Sequence, residues 1–248
     1  MNVQTYARIA GALFLLSFVA GGFGEGYVPS KFIVSSDAAA TVANIKGSEF
    51  TFRLGFAGFL IESMCDAALA LIFYVLLSPV NKNVSLLAAF LGLISTTVFA
   101  VAELFCFMAL HIVGGAGYLN SFSADQLNTL ALLSLKFYTT GGMIFTAYCG
   151  LAWILRGCLM FYSGYLPKFL GVLMVIGGLG FFVRNFLLIL APAYASDMLL
   201  MLMFPGGLLL TGWLLIKAVD VGKWELTLAS ESSRTGVVTS DQIRSVTS

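Results

Sequence analysis

Five ionisable residues stand inside apolar runs of the chain: Glu62 and Asp66 in one run, Glu103 in the next, then Lys136 and Arg184. A charge at the centre of a membrane helix costs about 2.5–3.5 kcal/mol, so such residues turn towards protein or a water-filled cavity. Glu62 and Asp66 are four apart and share a helix face. Counted from the same end of each run, Glu62, Glu103 and Lys136 lie about ten residues deep, Arg184 somewhat less, and Asp66 one turn further in. One polar layer can gather all five. Two chemistries are open to it. Interhelical ion pairs, Lys136 with Glu103 and Arg184 with Glu62, would fix helix register. Alternatively, three acids against two bases leave a negative excess that a proton, a cation or a small amphiphile neutralises, for transport or sensing. In that reading Glu62 and Asp66 are the acceptors, Asp66 first because it lies deepest, and Lys136 and Arg184 are counter-charges. Arg53 and Asn185 are secondary candidates.

The elements that must hold this layer are membrane helices. Of 248 residues, 59% are apolar and only 10% charged, against about 25% charged in soluble domains; the mean hydropathy is +0.96. Six spans are expected, at about 7–23, 52–77, 84–112, 124–155, 166–190 and 197–219, giving an all-α polytopic bundle over residues 1–222. The first run is read as a retained helix, a cleaved signal peptide being the alternative. Its Ser17/Gly21 and Ala20/Gly24 pairs suit close helix packing. Local signals mark the boundaries: Pro79 and Asn81 in a turn, Ser123 with Gln126 in capping-box spacing, Ser196 and Asp197 before the last helix. Ser36-Asp37 and Gly47 bracket a short amphipathic helix in the first outer loop, with Ala38, Val42 and Ile45 on one face; it either lies on the surface or packs as a loop helix over the bundle. Residues 223–248 turn rich in Ser and Thr without apolar periodicity and are expected to form a disordered cytoplasmic tail.

Several chemistries are excluded. The lone His111 supplies neither a bis-histidine haem nor a three-histidine zinc site, and Cys65, Cys106, Cys149 and Cys158 show no C-x-x-C spacing, so no metal and no cofactor are expected. No phosphate-binding loop, H-E-x-x-H motif or supported catalytic triad occurs, which makes an intramembrane enzyme the weakest reading. A net charge of +1 gives no nucleic-acid footprint. The partners expected are the lipid bilayer, a small-molecule or ion ligand, and a second copy through small-residue faces. A non-transporting scaffold acting through those faces is the alternative function. Basic residues Arg8, Lys82, Arg156, Lys168, Lys217, Lys223, Arg234 and Arg244 fall on one side, against Lys31, Lys46 and Arg53 on the other, which places both termini in the cytoplasm.

Ordered blocks also carry a resemblance: Ala7-Arg8-Ile9-Ala10-Gly11, then Asp37-Ala38-Ala39-Ala40-Thr41 with Asn44-Ile45, then Phe52-Arg53-Leu54-Gly55-Phe56. Cys65-Asp66 with Ala68-Leu69, Leu76-Leu77-Ser78-Pro79-Val80-Asn81, and Gly164-Tyr165-Leu166-Pro167 before Leu170-Gly171-Val172-Leu173 continue it. In these the chain resembles the bacterial multipass family catalogued as domain of unknown function 4386. The resemblance implies a protein of the bacterial inner membrane and brings no reaction or ligand with it. Arg53 and Asp66 fall within the matching blocks; Glu62, Glu103, Lys136 and Arg184 fall outside them.

Overall fold

A computed structural model describes residues 2–231 and 233, and among these there are helices and turns but no strand. Six helices are long and apolar enough to cross a membrane: α1 (Val3–Phe32), α3 (Glu49–Leu77), α4 (Lys82–Val113), α5 (Ala124–Ser163), α6 (Lys168–Leu190) and α7 (Met198–Ile216). The short α2 (Ala38–Gly47) follows α1. Large apolar side chains point outwards along the spans, among them Met64, Leu104 and Ile189, as bilayer contact requires.

The boundary signals act through their side chains. The Asp37 carboxylate accepts from the Ala40 N–H at 2.8 Å and starts α2. Asn81 accepts from the Val84 N–H ahead of α4. Ser123 and Gln126 form a reciprocal capping box at α5. Gly164, at φ +72, stops α5, eight residues past the expected end at residue 155 (163 against 155). Pro167 then opens α6.

The first helix departs from expectation. Instead of ending at Phe23, α1 continues to Phe32 by way of a π-helical turn, Gly22–Tyr27. Pro29 explains the widening. It has no N–H for the Glu25 carbonyl, and its ring crowds that carbonyl in a regular helix. A wider turn relieves the clash and lets the helix go on.

The chain divides into two compact units. The acidic unit is formed by Leu13–Ala68 and Gly92–Cys149. One of its cores joins Val28 and Phe32 of α1, Val42 and Ile45 of α2, Phe52 of α3, Ala109 and Leu110 of α4, and Ala131 and Leu135 of α5. The expected short helix is therefore packed, with Val42 and Ile45 inwards. The terminal unit comprises Met1–Ala12, Leu69–Leu91 and Gly150–Ser248. There α5 and α6 cross at glycines: a β-carbon on Gly171 would lie 2.6 Å from the Gly157 carbonyl oxygen, and one on Gly150 2.7 Å from that of Gly178. The Tyr165 hydroxyl and the Trp224 indole N–H both donate to the Leu76 carbonyl, at 2.6 and 3.2 Å.

The tail expectation needs correcting at its start. Residues 221–231 are helical. The Asp220 side chain accepts from the Lys223 N–H, and Trp224 is anchored on Leu76, so an N-cap and an aromatic anchor supply what apolar periodicity lacked. Residues 232 and 234–248 of that expected tail lie outside the described residues.

Candidate functional site

In the acidic unit two close helix crossings bring carboxyls together. Where α1 meets α3, a β-carbon on Gly24 would come within 2.7 Å of the Gly55 carbonyl oxygen, and one on Gly58 within 3.0 Å of that of Ala20. Only small residues permit this approach. It lays the Glu62 carboxyl directly against Gly21. One helical turn on, the π-helical turn presents Glu25, whose carboxyl lies beside that of Glu62. Glu25 Oε1 and Glu62 Oε2 are buried and have no hydrogen-bond partner among the described residues. Asp66 follows on α3, and the Ser17 hydroxyl of α1 donates to its Oδ1 at 2.9 Å.

The second crossing is that of α4 with α5, where Ala102 packs on Gly141. Ser134 donates to the Phe105 carbonyl at 2.6 Å and Ser95 to that of Phe145 at 2.9 Å, so the pair of helices is held on both sides of the contact. Glu103, 3% exposed, sits beside Ala102, within electrostatic reach of Glu62. Tyr138, 7% exposed, lies within electrostatic reach of Glu103 and Glu25. Its ring ends a run of aromatic contacts from Phe107 through Phe56, Phe59 and Phe99.

Three of the five charges singled out from sequence, Glu62, Asp66 and Glu103, are thus brought into one group. The two bases are not. Lys136 is exposed on α5 and forms no salt bridge among the described residues. It precedes the inward-facing Tyr138 by two positions, about 200° around the helix, so the expected Lys136–Glu103 pair does not form. Arg184 belongs to the terminal unit, where Nε and Nη2 both donate to Asp197 Oδ1, at 3.0 and 2.6 Å; the expected pair with Glu62 is replaced by one with the residue that opens α7. Of the secondary candidates, Arg53 pairs with Glu49 one turn away on exposed helix surface. Asn185 is buried in the terminal unit and donates to the Phe181 carbonyl. His111 lies exposed against Phe107.

Glu25, Ser17 and Tyr138 belong to the group and escaped the reading of the sequence. The first two carry a usable signal: Ser17, Gly21 and Glu25 recur every four residues and continue the small-residue face to which Ser17 and Gly21 had already been assigned. Among the described residues, no three His, Cys, Asp or Glu side chains converge as metal ligands.

Against known proteins, an uncharacterised protein of the archaeon Archaeoglobus fulgidus is 28% identical over 160 residues, covering 64% of this chain and 81% of its own. No solved structure matches. The family Domain of unknown function (DUF4386) matches residues 9–218. Six membrane-length helices and a match over most of the chain place it in one family: the chain is a multi-pass membrane protein belonging to the DUF4386 family of unknown function.

Proposed function

We propose that Glu25, Glu62, Asp66 and Glu103 form an intramembrane proton-binding group through which the protein couples protonation to transport or to sensing. One observation carries this reading: the α1–α3 crossing lines up Glu25, Glu62 and Asp66 along one seam, with Glu103 of α4 within electrostatic reach, while Glu25, Glu62 and Glu103 pair with no Lys, Arg or His among the described residues. Several buried carboxylates without counter-ions are too costly to hold in apolar surroundings, and protons are the simplest way to neutralise them. The scaffold alternative draws less support, because the small-residue faces of α1 and α5 are already occupied by contacts within the acidic unit. We place residues 1–222 in the plasma membrane with both termini in the cytoplasm, on the asymmetry of Lys and Arg.

The test is a pH titration of the protonated-carboxyl infrared band of the purified full chain, in wild type and in Glu62→Gln and Glu103→Gln. A band that titrates reversibly, and that each substitution diminishes, is expected. A spectrum unchanged by either substitution at every pH would sink the proposal.

A further inference from the structure

The terminal unit has a cavity of its own. It holds about 350 Å³, at the low end of the roughly 300–1,000 Å³ of small-molecule sites. It lies where α5 ends, α6 begins and α7 ends, between the turn 164–167 and residues 217–220. Hydrogen bonds hold its walls. The Asp220 N–H donates to the Tyr165 carbonyl at 3.3 Å and ties the two segments to each other. Ala218 turns the chain at φ +56, a conformation costly to a residue with a β-carbon. Its N–H donates to the Trp213 carbonyl at 2.9 Å, and its carbonyl accepts from the Trp213 indole at 3.1 Å, so turn and indole fix each other beside the cavity. From α1 the Gln4 amide donates to the neighbouring Val219 carbonyl at 2.9 Å. Walls fixed in advance spare a ligand the cost of ordering them.

Lys217 and Lys223 line the cavity against a single acid, Asp220, which leaves an excess of one positive charge. The Asp220 carboxylate is already engaged by the Lys223 N–H at 3.2 Å and by the Lys223 ammonium at 3.3 Å, the latter an exposed contact of small worth. The Lys217 ammonium rests over the Trp213 ring at 5.1 Å and forms no salt bridge among the described residues. A ring face uses its charge and leaves its N–H donors for an anion. Lysine ammonium groups are common partners of phosphate, and tryptophan favours the level of lipid headgroups.

We infer that this cavity binds the phosphate group of an anionic phosphate ester, with Lys217 and Lys223 donating to its oxygens and Trp213 flanking it. Two sources carry that group. The cavity lies at the end of the spans where basic residues gather, the side placed in the cytoplasm, and the cytoplasmic leaflet carries anionic lipid, so a headgroup is one source. A soluble phosphate ester is the other. No residue of this cavity belongs to the group of acids, so the phosphate site and the proton-binding group stand or fall separately.

The experiment titrates the purified full chain in mild detergent with dioctanoyl phosphatidylglycerol, with glycerol 3-phosphate, and with dioctanoylglycerol as the phosphate-free control, counting complexes by native mass spectrometry. Saturable one-to-one binding of a phosphate ester is expected, with dioctanoylglycerol much weaker. Tighter binding of the lipid assigns the phosphate to a headgroup; equal or tighter binding of glycerol 3-phosphate assigns it to a soluble ester. Lys217→Gln and Lys223→Gln should each weaken binding about fivefold, the weight of one lysine beside anionic headgroups. Lys82→Gln removes an exposed lysine of the same unit that does not line the cavity, and should leave binding unchanged. Thermal unfolding checks that each variant is folded. The inference is overturned if neither ester binds, if dioctanoylglycerol binds as tightly as phosphatidylglycerol, if both cavity variants keep full affinity, or if Lys82→Gln costs as much as Lys217→Gln.

Discussion

The two units solve the same packing problem and differ in what they put at the solution. Each draws its helices together at glycines, so closely that an added β-carbon would meet backbone. In the terminal unit three charges are answered locally: Arg184 by Asp197, Lys223 by Asp220, and Lys217 by the ring of Trp213. In the acidic unit the crossings instead bring Glu62, Glu25 and Glu103 within electrostatic reach of one another, and none of the three pairs with a base among the described residues. The first arrangement is what stability asks of a membrane bundle. The second departs from it, leaving acids without counter-ions in apolar surroundings.

Bulk at the crossings should break both units alike. Gly24→Val and Gly171→Val each force a methyl-bearing carbon into a carbonyl oxygen, and backbone cannot step aside as a flexible side chain can. Each is expected to destabilise by about 3 kcal/mol or more, beyond the usual overpacking range of core substitutions. Thermal unfolding in mild detergent measures this, and a variant that melts like wild type refutes the close approach at that site.

The next test concerns the terminal unit alone. Burial pushes the Tyr165 phenol up from its ordinary value, so it stays a neutral donor to Leu76 throughout the physiological range. Tyr165→Phe should cost about 1–2 kcal/mol. Trp224→Phe should cost less while Tyr165 still satisfies the same carbonyl. A double-mutant cycle should then show the pair losing more than the sum of the singles; strict additivity would show that the two donors do not share an acceptor.

Exchanging acid for amide sharpens the contrast further, because the sign should reverse between units. Asp197→Asn removes the partner of Arg184 and should destabilise, by no more than about 1 kcal/mol given that the Asp197 side chain is 82% exposed. Glu103→Gln removes a buried acid that pairs with no base among the described residues, and should leave stability unchanged or raise it by about 1 kcal/mol. A large loss in Glu103→Gln would mean that the acid is structural.

The smallest effect belongs to Asp220. The backbone N–H of Lys223 holds its carboxylate below the usual range. Its contribution is therefore present above the ordinary carboxylate pKa and is lost as pH falls through the lower folded value. Amide exchange over residues 221–231 should quicken on acidification below about pH 4. Asp220→Asn, which can still cap, should abolish that dependence. Exchange that ignores pH in wild type would remove Asp220 from the cap.

Much of this was legible in the sequence, for identifiable reasons. Spans and caps are local: apolar length finds α3 and α4, and Asp37, Asn81 and the Ser123/Gln126 pair act within four residues of themselves. That Glu62 and Glu103 come within electrostatic reach of each other accords with their equal count along the runs. Depth says nothing about rotation around the helix, however, and rotation is what sends Lys136 outwards while Tyr138 points in. Arg184 was beyond reach for another reason, since its partner lies thirteen residues on, across a turn whose path no periodicity describes. Glu25 was lost because a glycine-rich stretch ahead of Pro29 reads as the end of a helix, when here it is the place where the helix widens.

That widened turn leaves a mark that comparison of homologues can read. A π turn carries one residue more than the regular helix it interrupts. Deleting one residue from Gly22–Tyr27 would rotate all that follows by about 100° relative to all that precedes. Family members with a single-residue gap in this segment are therefore expected to have no acid at the position of Glu25 and no proline at that of Pro29. The gap, the acid and the proline should come and go together, and the length of one helix becomes a record of which relatives keep the acid at that turn.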